Sequence, residues 1–481
     1  MKMLIGGKQV DASNKATQEV VNPATGQVVD TVPMATHEDV TKAIDLAVGA
    51  QKAWAKLPVR ERCKPLKKFA QMVLERRLEL GKLLTSETGK PYMAEAVWEF
   101  DSVAYVFESA CEVAMHHYGE TMPIGTEPGY DGDIQFTMNE PLGVIACIIP
   151  YNFPAALFSF KAAASLAAGN AIVVKAPSPD PLVVIELCNM LVEAGVPANV
   201  IHGITGRGSE VGRWIVDDPR IASVNFTGSA ATGIDIAEHA AKHLTGYQFE
   251  LGGNDPFVVF EDGDMELALK EAGDKARNAG QCCSAAKRFI IHNSIKEEFT
   301  RRLVEEYLKP LVIGDPMDDK TIMGPVITEK AAKEIESQVN LTVEQGAKIY
   351  YGGKRDGAFY DPTVLVNVTS EMDIARNMEV FGPVWPIIGF DTVEEGIALA
   401  NLTDYGLSSG VFTKDIKLAF RCSREIEAGY VTINGSGGFR AAELPFGGGK
   451  KLSGNSRESM LTVMSEVTQK KAVVLRYILE D

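Results

Sequence analysis

The sequence lacks the features that mark nucleic-acid-binding, membrane-bound and disulfide-stabilised proteins. Its 64 acidic residues outnumber 48 basic ones, giving a net charge of −16, whereas nucleic acids and anionic membranes attract clustered Lys and Arg. The seven cysteines are an odd number without the C-x-x-C pairs of a zinc site, which indicates a reducing compartment. The N-terminus has no long apolar signal-peptide region. We therefore expect a cytoplasmic protein with no metal and no nucleic-acid or membrane partner.

One stretch, residues 143–160, carries no charge and is long enough to be considered as a membrane span. Pro150, Asn152 and Pro154 interrupt it. We interpret it as two short buried elements, a strand followed by a helix that starts at Pro154.

The alternation of short apolar runs with helical patterns predicts the fold class. At 481 residues the chain is too long for one ordinary domain. Between residues 141 and 252, runs such as 143–149 and 171–175 alternate with helical segments, which predicts a parallel, doubly wound sheet. A second alternating series after residue 254 predicts a second α/β domain.

Polar residues recur where these predicted strands end. Asn152, Lys175, Thr205, Thr227 and Glu250 each lie at or just after such an end. Ligands of parallel α/β sheets bind beyond the carboxyl ends of the strands, so we expect these residues to surround one site. The usual G-x-G-x-x-G dinucleotide motif is absent, which predicts a different mode of cofactor binding.

Two adjacent cysteines, Cys282 and Cys283, lie in a loop of small residues. A thiol that attacks a carbonyl and a carboxylate, here Glu250, that later activates water are the minimum set for covalent acyl chemistry. The alternative for a cysteine is a small buried hydrophobic residue. Cys282 is interpreted as a spectator, with a vicinal disulfide or a protective sulfenamide as alternatives.

Six motifs, in order and spanning nearly the whole chain, together resemble those of the aldehyde dehydrogenase superfamily. They are Pro150-Tyr151-Asn152-Phe153-Pro154, Phe226-Thr227-Gly228-Ser229, Glu250-Leu251-Gly252-Gly253, Gly280-Gln281-Cys282-Cys283, Glu379-Val380-Phe381-Gly382-Pro383 and Pro445-Phe446-Gly447-Gly448.

The resemblance implies four catalytic residues. Cys283 is the nucleophile, the side-chain amide of Asn152 stabilises the oxyanion, and Glu250 is the base that activates water for thioester hydrolysis. Lys161 matches a lysine proposed to relay protons away from the base. The alternatives without a catalytic role are an Asx turn for Asn152, an ion-paired carboxylate for Glu250 and a surface lysine for Lys161.

The resemblance also implies a set of cofactor-binding residues. Many NAD-preferring members have a glutamate at the position of Ser178, and a carboxylate there would repel a 2′-phosphate. We therefore expect NADP or NAD, with a leaning towards NADP. The cofactor candidates are Ile149, Lys175, Ser178, Arg207, Gly208, Thr227, Gly228, Ser229, Glu379 and Phe381.

Substrate choice is less visible in the sequence. Arg440 and the glycine-rich segment before it would suit a short polar or carboxylated aldehyde, as in the semialdehyde and lactaldehyde members; an arginine that braces a loop is the alternative. The substrate candidates are Phe153, Phe160, Cys282, Ser284 and Arg440.

The predicted organisation has three parts and one activity. Residues 1–121 and 141–252 form a Rossmann-like cofactor domain, and 253–465 form an α/β catalytic domain. Residues 122–140 with 466–481 form a small β oligomerisation arm for a homodimer or homotetramer.

The expected reaction is NAD(P)-dependent oxidation of an aldehyde to a carboxylic acid through a thiohemiacetal and a thioester. A coenzyme A-acylating dehydrogenase, disfavoured by Glu250, and a catalytically retired structural relative are the alternatives.

Overall fold

The computed structural model describes residues 1–438 and 441–479. Within these residues no helix is long and apolar enough to cross a membrane. The elements up to residue 141 are β1 (Met3–Ile5), β2 (Lys8–Val10), β3 (Thr17–Val21), β4 (Val28–Pro33), α1 (His37–Ala55), α2 (Val59–Thr88), α3 (Val97–His116) and β5 (Ile134–Pro141).

The next region carries the alternation that the sequence predicts. Its elements are β6 (Val144–Ile148), α4 (Pro154–Ala168), β7 (Ala171–Lys175), α5 (Leu182–Ala194), β8 (Ile201–Ile204), α6 (Arg213–Val216), β9 (Ile221–Thr227), α7 (Ala230–Ala240) and β10 (Gly246–Glu250). The uncharged stretch is thus a strand and a helix, as predicted, and α4 begins at Pro154.

These strands form the first of two seven-stranded sheets, in the order β10-β9-β6-β7-β8-β1-β2. Strands β6 to β10 are parallel, and β1 joins the edge antiparallel to β8. Every residue of β6 and β7 is buried, which explains their continuous apolar sequences. Since β7 and β9 lie on opposite sides of β6, the strand order reverses beside β6, and a crevice opens at its carboxyl end.

The remaining elements build the second half of the molecule. They are β11 (Pro256–Val259), α8 (Met265–Gly273), β12 (Arg288–His292), α9 (Asn293–Arg302), α10 (Glu329–Glu344), β13 (Lys348–Tyr351), β14 (Arg355–Asp356), β15 (Phe359–Tyr360), β16 (Thr363–Val368), β17 (Val384–Phe390), α11 (Val393–Ala400), β18 (Ser408–Phe412), α12 (Ile416–Glu425), β19 (Tyr430–Ile433), α13 (Met460–Glu466) and β20 (Thr468–Leu475).

The second seven-stranded sheet has the order β13-β16-β17-β12-β11-β18-β19. Its pairs are parallel except β13 with β16. Strands β13, β16, β17 and β18 were not recognised in the sequence. One reason is Pro386 in the middle of β17, because proline argues against a central strand. The second α/β domain itself is as predicted.

The two segments expected to form an arm pair with one another. Strand β20 runs antiparallel to β5 from Thr468↔Pro141 to Leu475↔Ile134. Helix α13, which the sequence grouped with residues 253–465, instead packs in the first core through Met460, Val463 and Met464. The exact domain boundaries remain a prediction.

Candidate active site

Four cavities lie beside the strand ends of the first sheet or beside the loop that carries the two cysteines. The first, here named the cysteine cavity, has a volume of about 290 Å³. It brings together Asn152, Cys283, Glu379 and Phe381, which are scattered over more than two hundred residues of chain. Of the residues predicted at strand ends, Asn152 and Thr227 line this cavity, Lys175 and Glu250 line neighbouring spaces, and Thr205 lines none of the four.

The loop before Cys283 is held in an uncommon backbone conformation. Asn278, Ala279 and Gly280 have φ angles of 48°, 49° and 73°, a left-handed region that side chains other than glycine seldom adopt. The Asn278 side chain donates hydrogen bonds to the carbonyls of Asn152, at 2.9 Å, and of Gln281, at 3.1 Å. The sequence suggested a loop freed by Gly280. The structure instead shows a loop fixed against the Asn152 segment, and such strain concentrates at functional sites.

A buried lysine that the sequence did not single out, Lys287, places a positive charge near the thiols. Lys287 Nζ donates to the Cys283 carbonyl at 2.5 Å and lies 3.2 Å from Glu379. Burial disfavours its charge, but Glu379 and Asp255 outweigh that effect and raise the pKa of Lys287. A permanent positive charge therefore stands beside the cysteine pair. The sequence gives no sign of this role beyond the presence of a lysine four residues after Cys283.

The two neighbouring thiols interact through a hydrogen bond. A hydrogen bond with the Cys283 thiol, against the opposing effect of burial, lowers the pKa of Cys282 to about 5. Ser284 and the charge of Lys287 contribute in the same direction. The shift favours the ionised form of Cys282, and the thiolate is the reactive form of cysteine.

Glu250 borders a second and much smaller space, here named the rear cavity, of about 20 Å³. The carboxylate is 5 % exposed, and the Gly228 N–H donates to its backbone carbonyl at 3.1 Å. Lys161 also lines this space. Its Nζ donates to Thr227 Oγ1 at 2.6 Å and lies 3.3 Å from Glu458.

This arrangement changes the interpretation of two predicted residues and adds a third. Lys161 is buried, so the alternative of a surface lysine is wrong. Phe160, predicted to contact substrate, lines the rear cavity with Glu250 and is not brought to the cysteine cavity. Glu458 was missed, since nothing in the sequence signals a contact with a lysine almost three hundred residues earlier.

A carboxylate and an aromatic ring face the thiol across the cysteine cavity. Glu379 accepts a hydrogen bond from the Gly253 N–H at 3.2 Å. Phe381 meets the ring of Tyr151 edge-on, with centroids 6.1 Å apart. A Cβ on Gly252 would lie within 2.3 Å of the Glu379 carboxylate, so this close approach requires a residue without a side chain.

The third cavity, a groove of about 620 Å³ here named the dinucleotide groove, continues from the cysteine cavity. The two spaces share lining residues, among them Tyr151 and Ser229. The predicted cofactor residues that line the groove are Ile149, Lys175, Ser178, Gly208, Thr227, Gly228 and Ser229. Arg207 does not line it; the guanidinium is exposed and lies 3.5 Å from Glu210.

The donors in this groove fit a dinucleotide. Lys175 Nζ donates to Ser178 Oγ at 2.9 Å, and burial lowers the pKa of Lys175 to about 8. Ser229 caps α7 by accepting from the Thr232 N–H at 3.3 Å, and helix N-termini are favourable places for phosphate. A lysine, a hydroxyl and a helix N-terminus along one groove suit a ribose and a pyrophosphate.

The fourth space, here named the mouth cavity, has a volume of about 510 Å³ and lies on the far side of the cysteine pair. Phe153, Cys282 and Ser284, all predicted to contact substrate, line it together with Arg277. The ammonium group of Lys90 stacks 3.7 Å from the centre of the Phe153 ring, which fixes the ring. Arg440 lies outside the described residues.

Comparison with known proteins identifies the family. The profile of the aldehyde dehydrogenase family matches residues 10–473. The chain belongs to this family. Among curated relatives, 3-sulfolactaldehyde dehydrogenase of Priestia aryabhattai is 38 % identical over 458 residues, covering 95 % of this chain and 94 % of the relative. The NADP(+)-type succinate-semialdehyde dehydrogenase GabD of Escherichia coli K12 is 36 % identical over 460 residues, covering 95 % and 93 %.

Solved structures with the same fold include an NADP-dependent enzyme and a betaine aldehyde dehydrogenase. An NADP-dependent enzyme of E. coli superposes with a TM-score of 0.95 at 35 % identity, covering 99 % of this chain and 98 % of that chain. A betaine aldehyde dehydrogenase of Staphylococcus aureus with NAD+ gives 0.94 at 35 % identity, covering 99 % and 97 %. The predicted doubly wound cofactor fold with a second α/β domain is confirmed. The chain is an NAD(P)-dependent oxidoreductase that oxidises aldehydes, and the coenzyme A-acylating alternative is not supported.

Proposed function

We propose that this aldehyde dehydrogenase converts short polar aldehydes of the semialdehyde type into free acids, with NADP as an accepted cofactor. The observation that carries the proposal is the placing of adjacent cysteines on two different spaces. Cys283 lines the cysteine cavity, which shares residues with the dinucleotide groove, and Cys282 lines the mouth cavity. In this proposal the aldehyde enters from the mouth cavity and meets the dinucleotide at Cys283.

In the first half-reaction the Cys283 thiolate attacks the aldehyde carbon. The side-chain amide of Asn152 and the backbone N–H of Cys283 donate to the oxygen that becomes negative, which is the largest electrostatic contribution in many acyl transfers. Lys287 holds the Cys283 carbonyl and so fixes the peptide that bears the nucleophile. A bound nicotinamide supplies the hydride acceptor, and Glu379, Phe381, Lys175, Ser178 and Ser229 would hold the cofactor.

In the second half-reaction the thioester is hydrolysed. Glu250 takes a proton from water as the water oxygen attacks the acyl carbon, and the Cys283 thiolate leaves. Lys161 and Glu458 form an ion pair, with charged atoms 3.3 Å apart, and both line the rear cavity together with Glu250. The product is a free carboxylic acid.

The adenosine end of the groove supports use of NADP. Ser178 carries no negative charge that would repel a 2′-phosphate; its hydroxyl accepts from Lys175 Nζ at 2.9 Å and donates to the Gly206 carbonyl at 3.1 Å. Two relatives carry NADP in their descriptions, an E. coli enzyme and a 3,6-anhydro-L-galactose dehydrogenase in complex with NAP, whereas the betaine aldehyde dehydrogenase structure holds NAD+. The comparison of kcat/KM for the two cofactors is the direct test.

A positively charged residue in the lining of the mouth cavity favours a substrate with an anionic group. Arg277 lines it, and its side chain is 58 % exposed while lying 3.5 Å from Asp274. Guanidinium groups favour carboxylate and sulfonate partners. The names of the relatives, which include sulfolactaldehyde and succinate-semialdehyde dehydrogenases, agree with such a substrate.

Two carboxyl groups of the mouth cavity, Glu95 and Glu271, oppose this preference less than full negative charges would. Burial raises the pKa of Glu95 to about 7, so this carboxyl is partly neutral near pH 7. Glu271 accepts hydrogen bonds from the backbone and hydroxyl of Ser436, the latter at 2.7 Å. Its charge is directed into the loop rather than towards a ligand.

One panel tests the proposal. Succinic semialdehyde and butanal, which differ in the terminal carboxylate, are each assayed with NADP and NAD while the acid product is quantified. We expect a higher kcat/KM for the semialdehyde, and a loss of that advantage in Arg277→Gln with little change for butanal. Absence of aldehyde-dependent cofactor reduction in every combination would indicate a retired relative.

We also propose that the chain is a cytoplasmic homo-oligomer that assembles through the arm of residues 122–140 and 466–481. The support is the β5–β20 ribbon, on which Met138, Val474 and Leu475 are exposed. Apolar side chains on a two-stranded ribbon gain most from a partner surface. Light scattering after gel filtration gives the mass, and a monomer would contradict the proposal.

A further inference from the structure

Glu95 is a buried residue of the mouth cavity whose carboxyl group has no partner in the protein. Only 7 % of the residue is exposed, and its side chain makes no hydrogen bond or ion pair within residues 1–438 and 441–479. Buried polar groups nearly always have a hydrogen-bond partner. The partner of Glu95 must therefore come from the cavity that it lines.

Glu99, four residues further along, is a buried carboxylate with a structural role. Its Oε1 accepts from the N–H groups of Ala155 and Ala156, at 2.9 and 3.0 Å. Its Oε2 accepts from Lys90 Nζ at 2.5 Å. The hydrogen bonds of Glu99 thus hold the start of α4, whereas the described residues offer Glu95 no such contact.

The backbone around Glu95 has a form that is common at functional sites. Residues Tyr92–Ala96 make a π-helical turn between α2 and α3. The N–H groups of Glu95 and Ala96 both donate to the Pro91 carbonyl at 3.0 Å. Such turns are rare, and they occur mostly as single turns beside or within α-helices, frequently at functional sites. The regular helix is therefore interrupted where the unpartnered carboxyl group lies.

The other carboxyl groups of the mouth cavity have partners. Glu271 accepts two hydrogen bonds from one serine of the lining. Asp274 lies 3.5 Å from Arg277 and 3.8 Å from Lys270. Among the described residues of this lining, Glu95 is therefore the carboxyl group left for a ligand.

The charges nearby decide which kind of donor suits Glu95. Lys90 and Arg277 are positive and act on its carboxyl group, so both would repel an ammonium group brought there. Burial is the main cause that raises the pKa of Glu95 to about 7, and a partly neutral carboxyl group attracts a cation less. A hydroxyl donates a hydrogen bond without carrying a charge. It suits this position better than an ammonium group.

We propose that Glu95 recognises a hydroxyl group of the substrate, so that short hydroxyaldehydes are preferred over aldehydes of equal length without the hydroxyl. The inference rests on the proposed function, because it needs the aldehyde to occupy the mouth cavity. Glu95 and Cys282 both line this cavity and their charges interact, so a short substrate can reach Glu95 and the cysteine pair together. Glu95 takes no part in bond making or proton transfer and acts on substrate specificity alone.

The test compares butanal, 2-hydroxybutanal and 3-hydroxybutanal. The three have the same chain length and no anionic group, which separates the hydroxyl from any effect of Arg277. The full-length enzyme is assayed with NADP and NAD, and reduced-nicotinamide absorbance gives kcat/KM. We expect one or both hydroxybutanals to exceed butanal by at least about tenfold, because a site built to bind a hydroxyl discriminates against the analogue that lacks it.

Variants of Glu95 show whether this preference comes from its carboxyl group. Glu95→Met has a side chain of similar length that accepts only weakly, so the preference should fall by about tenfold. Glu95→Gln keeps an oxygen acceptor and should retain most of it. Glu108→Met is the matched control, since Glu108 is exposed on α3 and lines none of the four cavities. A merely structural role of Glu95 would lower kcat/KM for all three aldehydes alike and leave their ratio unchanged.

Several outcomes would overturn the inference. They are a wild type that oxidises butanal as well as both hydroxybutanals, a preference that survives in Glu95→Met, and a higher kcat/KM for 4-aminobutanal than for either hydroxybutanal. Glu95→Ala removes the acceptor with a smaller side chain and serves in place of Glu95→Met should that variant misfold. An enzyme that oxidises succinic semialdehyde but neither hydroxybutanal also overturns it. If succinic semialdehyde is not oxidised either, the proposed function fails instead.

Discussion

The surroundings of the two predicted catalytic residues, Cys283 and Glu250, are built by different physical means. The side of Cys283 is fixed by backbone conformation, with three consecutive left-handed residues and the hydrogen bonds of Asn278. The side of Glu250 is built from side-chain charges, with Lys161 between Thr227 and Glu458.

This difference matches two different chemical tasks. A nucleophile and its oxyanion donors must be held to within a fraction of an ångström, and a strained, hydrogen-bonded loop achieves that. A base must gain and lose a proton in each cycle, which requires neighbouring groups that can exchange protons with it. We therefore expect the Cys283 side to be sensitive to shape and the Glu250 side to be sensitive to charge.

Removal of the nucleophile should have the largest effect. Cys283→Ala leaves no atom to form the thiohemiacetal, so turnover should fall by at least about 10⁴-fold, as for other covalent catalysts. Cys282→Ala is the matched control and should keep most of the activity, because Cys282 is predicted to be a spectator. Reduced-nicotinamide absorbance measures both. Equal losses in the two variants would contradict the assignment of Cys283 as the nucleophile and Cys282 as a spectator.

Glu250→Gln should separate the two half-reactions. It keeps the shape of the side chain and removes the base, so we expect a burst of cofactor reduction followed by turnover slower by about 10²–10⁴-fold. The burst amplitude should approach one per active site. Loss of the burst together with turnover would mean that Glu250 also acts before the thioester forms.

Gly280→Ala tests the shape of the cysteine side. A Cβ there would lie within 2.2 Å of the backbone oxygen of Gly382 in a conformation that already costs an alanine about 1–2 kcal/mol. We expect a loss of about 2–4 kcal/mol in the free energy of unfolding. Gly26→Ala is the control, with a φ of +70° but nothing within 4 Å, and should lose about 1 kcal/mol. Denaturant unfolding measures both, and equal losses would refute the close contact.

The smallest expected effect is on cofactor choice. Ser178→Glu places a carboxylate where a 2′-phosphate would lie, so kcat/KM for NADP should fall by about tenfold, or about 1.4 kcal/mol, while that for NAD is retained. Arg207→Gln should leave both values unchanged, because Arg207 does not line the groove. A wild-type enzyme with a strong preference for NAD would contradict the proposal directly.

Local patterns in the sequence were sufficient for the strands of the first sheet and for the candidate residues at their ends. Buried parallel strands leave continuous apolar runs, and Asn152, Glu250 and Cys283 lie within recognisable motifs. Lys287 and Glu458 were missed because their importance comes from contacts between segments that are distant in sequence. Strand β17 was missed because Pro386 obscures its pattern. The cavity that Phe160 lines could not be read from the sequence, because nearly every residue of its helix is buried.

Helix α13 has a consequence for how the chain matures. Its side chains Met460, Val463 and Met464 belong to the core that residues 1–251 otherwise form. A nascent chain emerges from the ribosome N-terminus first, so the first half of this protein has to wait for nearly the last residues before its interior can close. Truncation near the C-terminus would therefore expose the N-terminal core to aggregation, even though the deleted residues lie far along the chain from it.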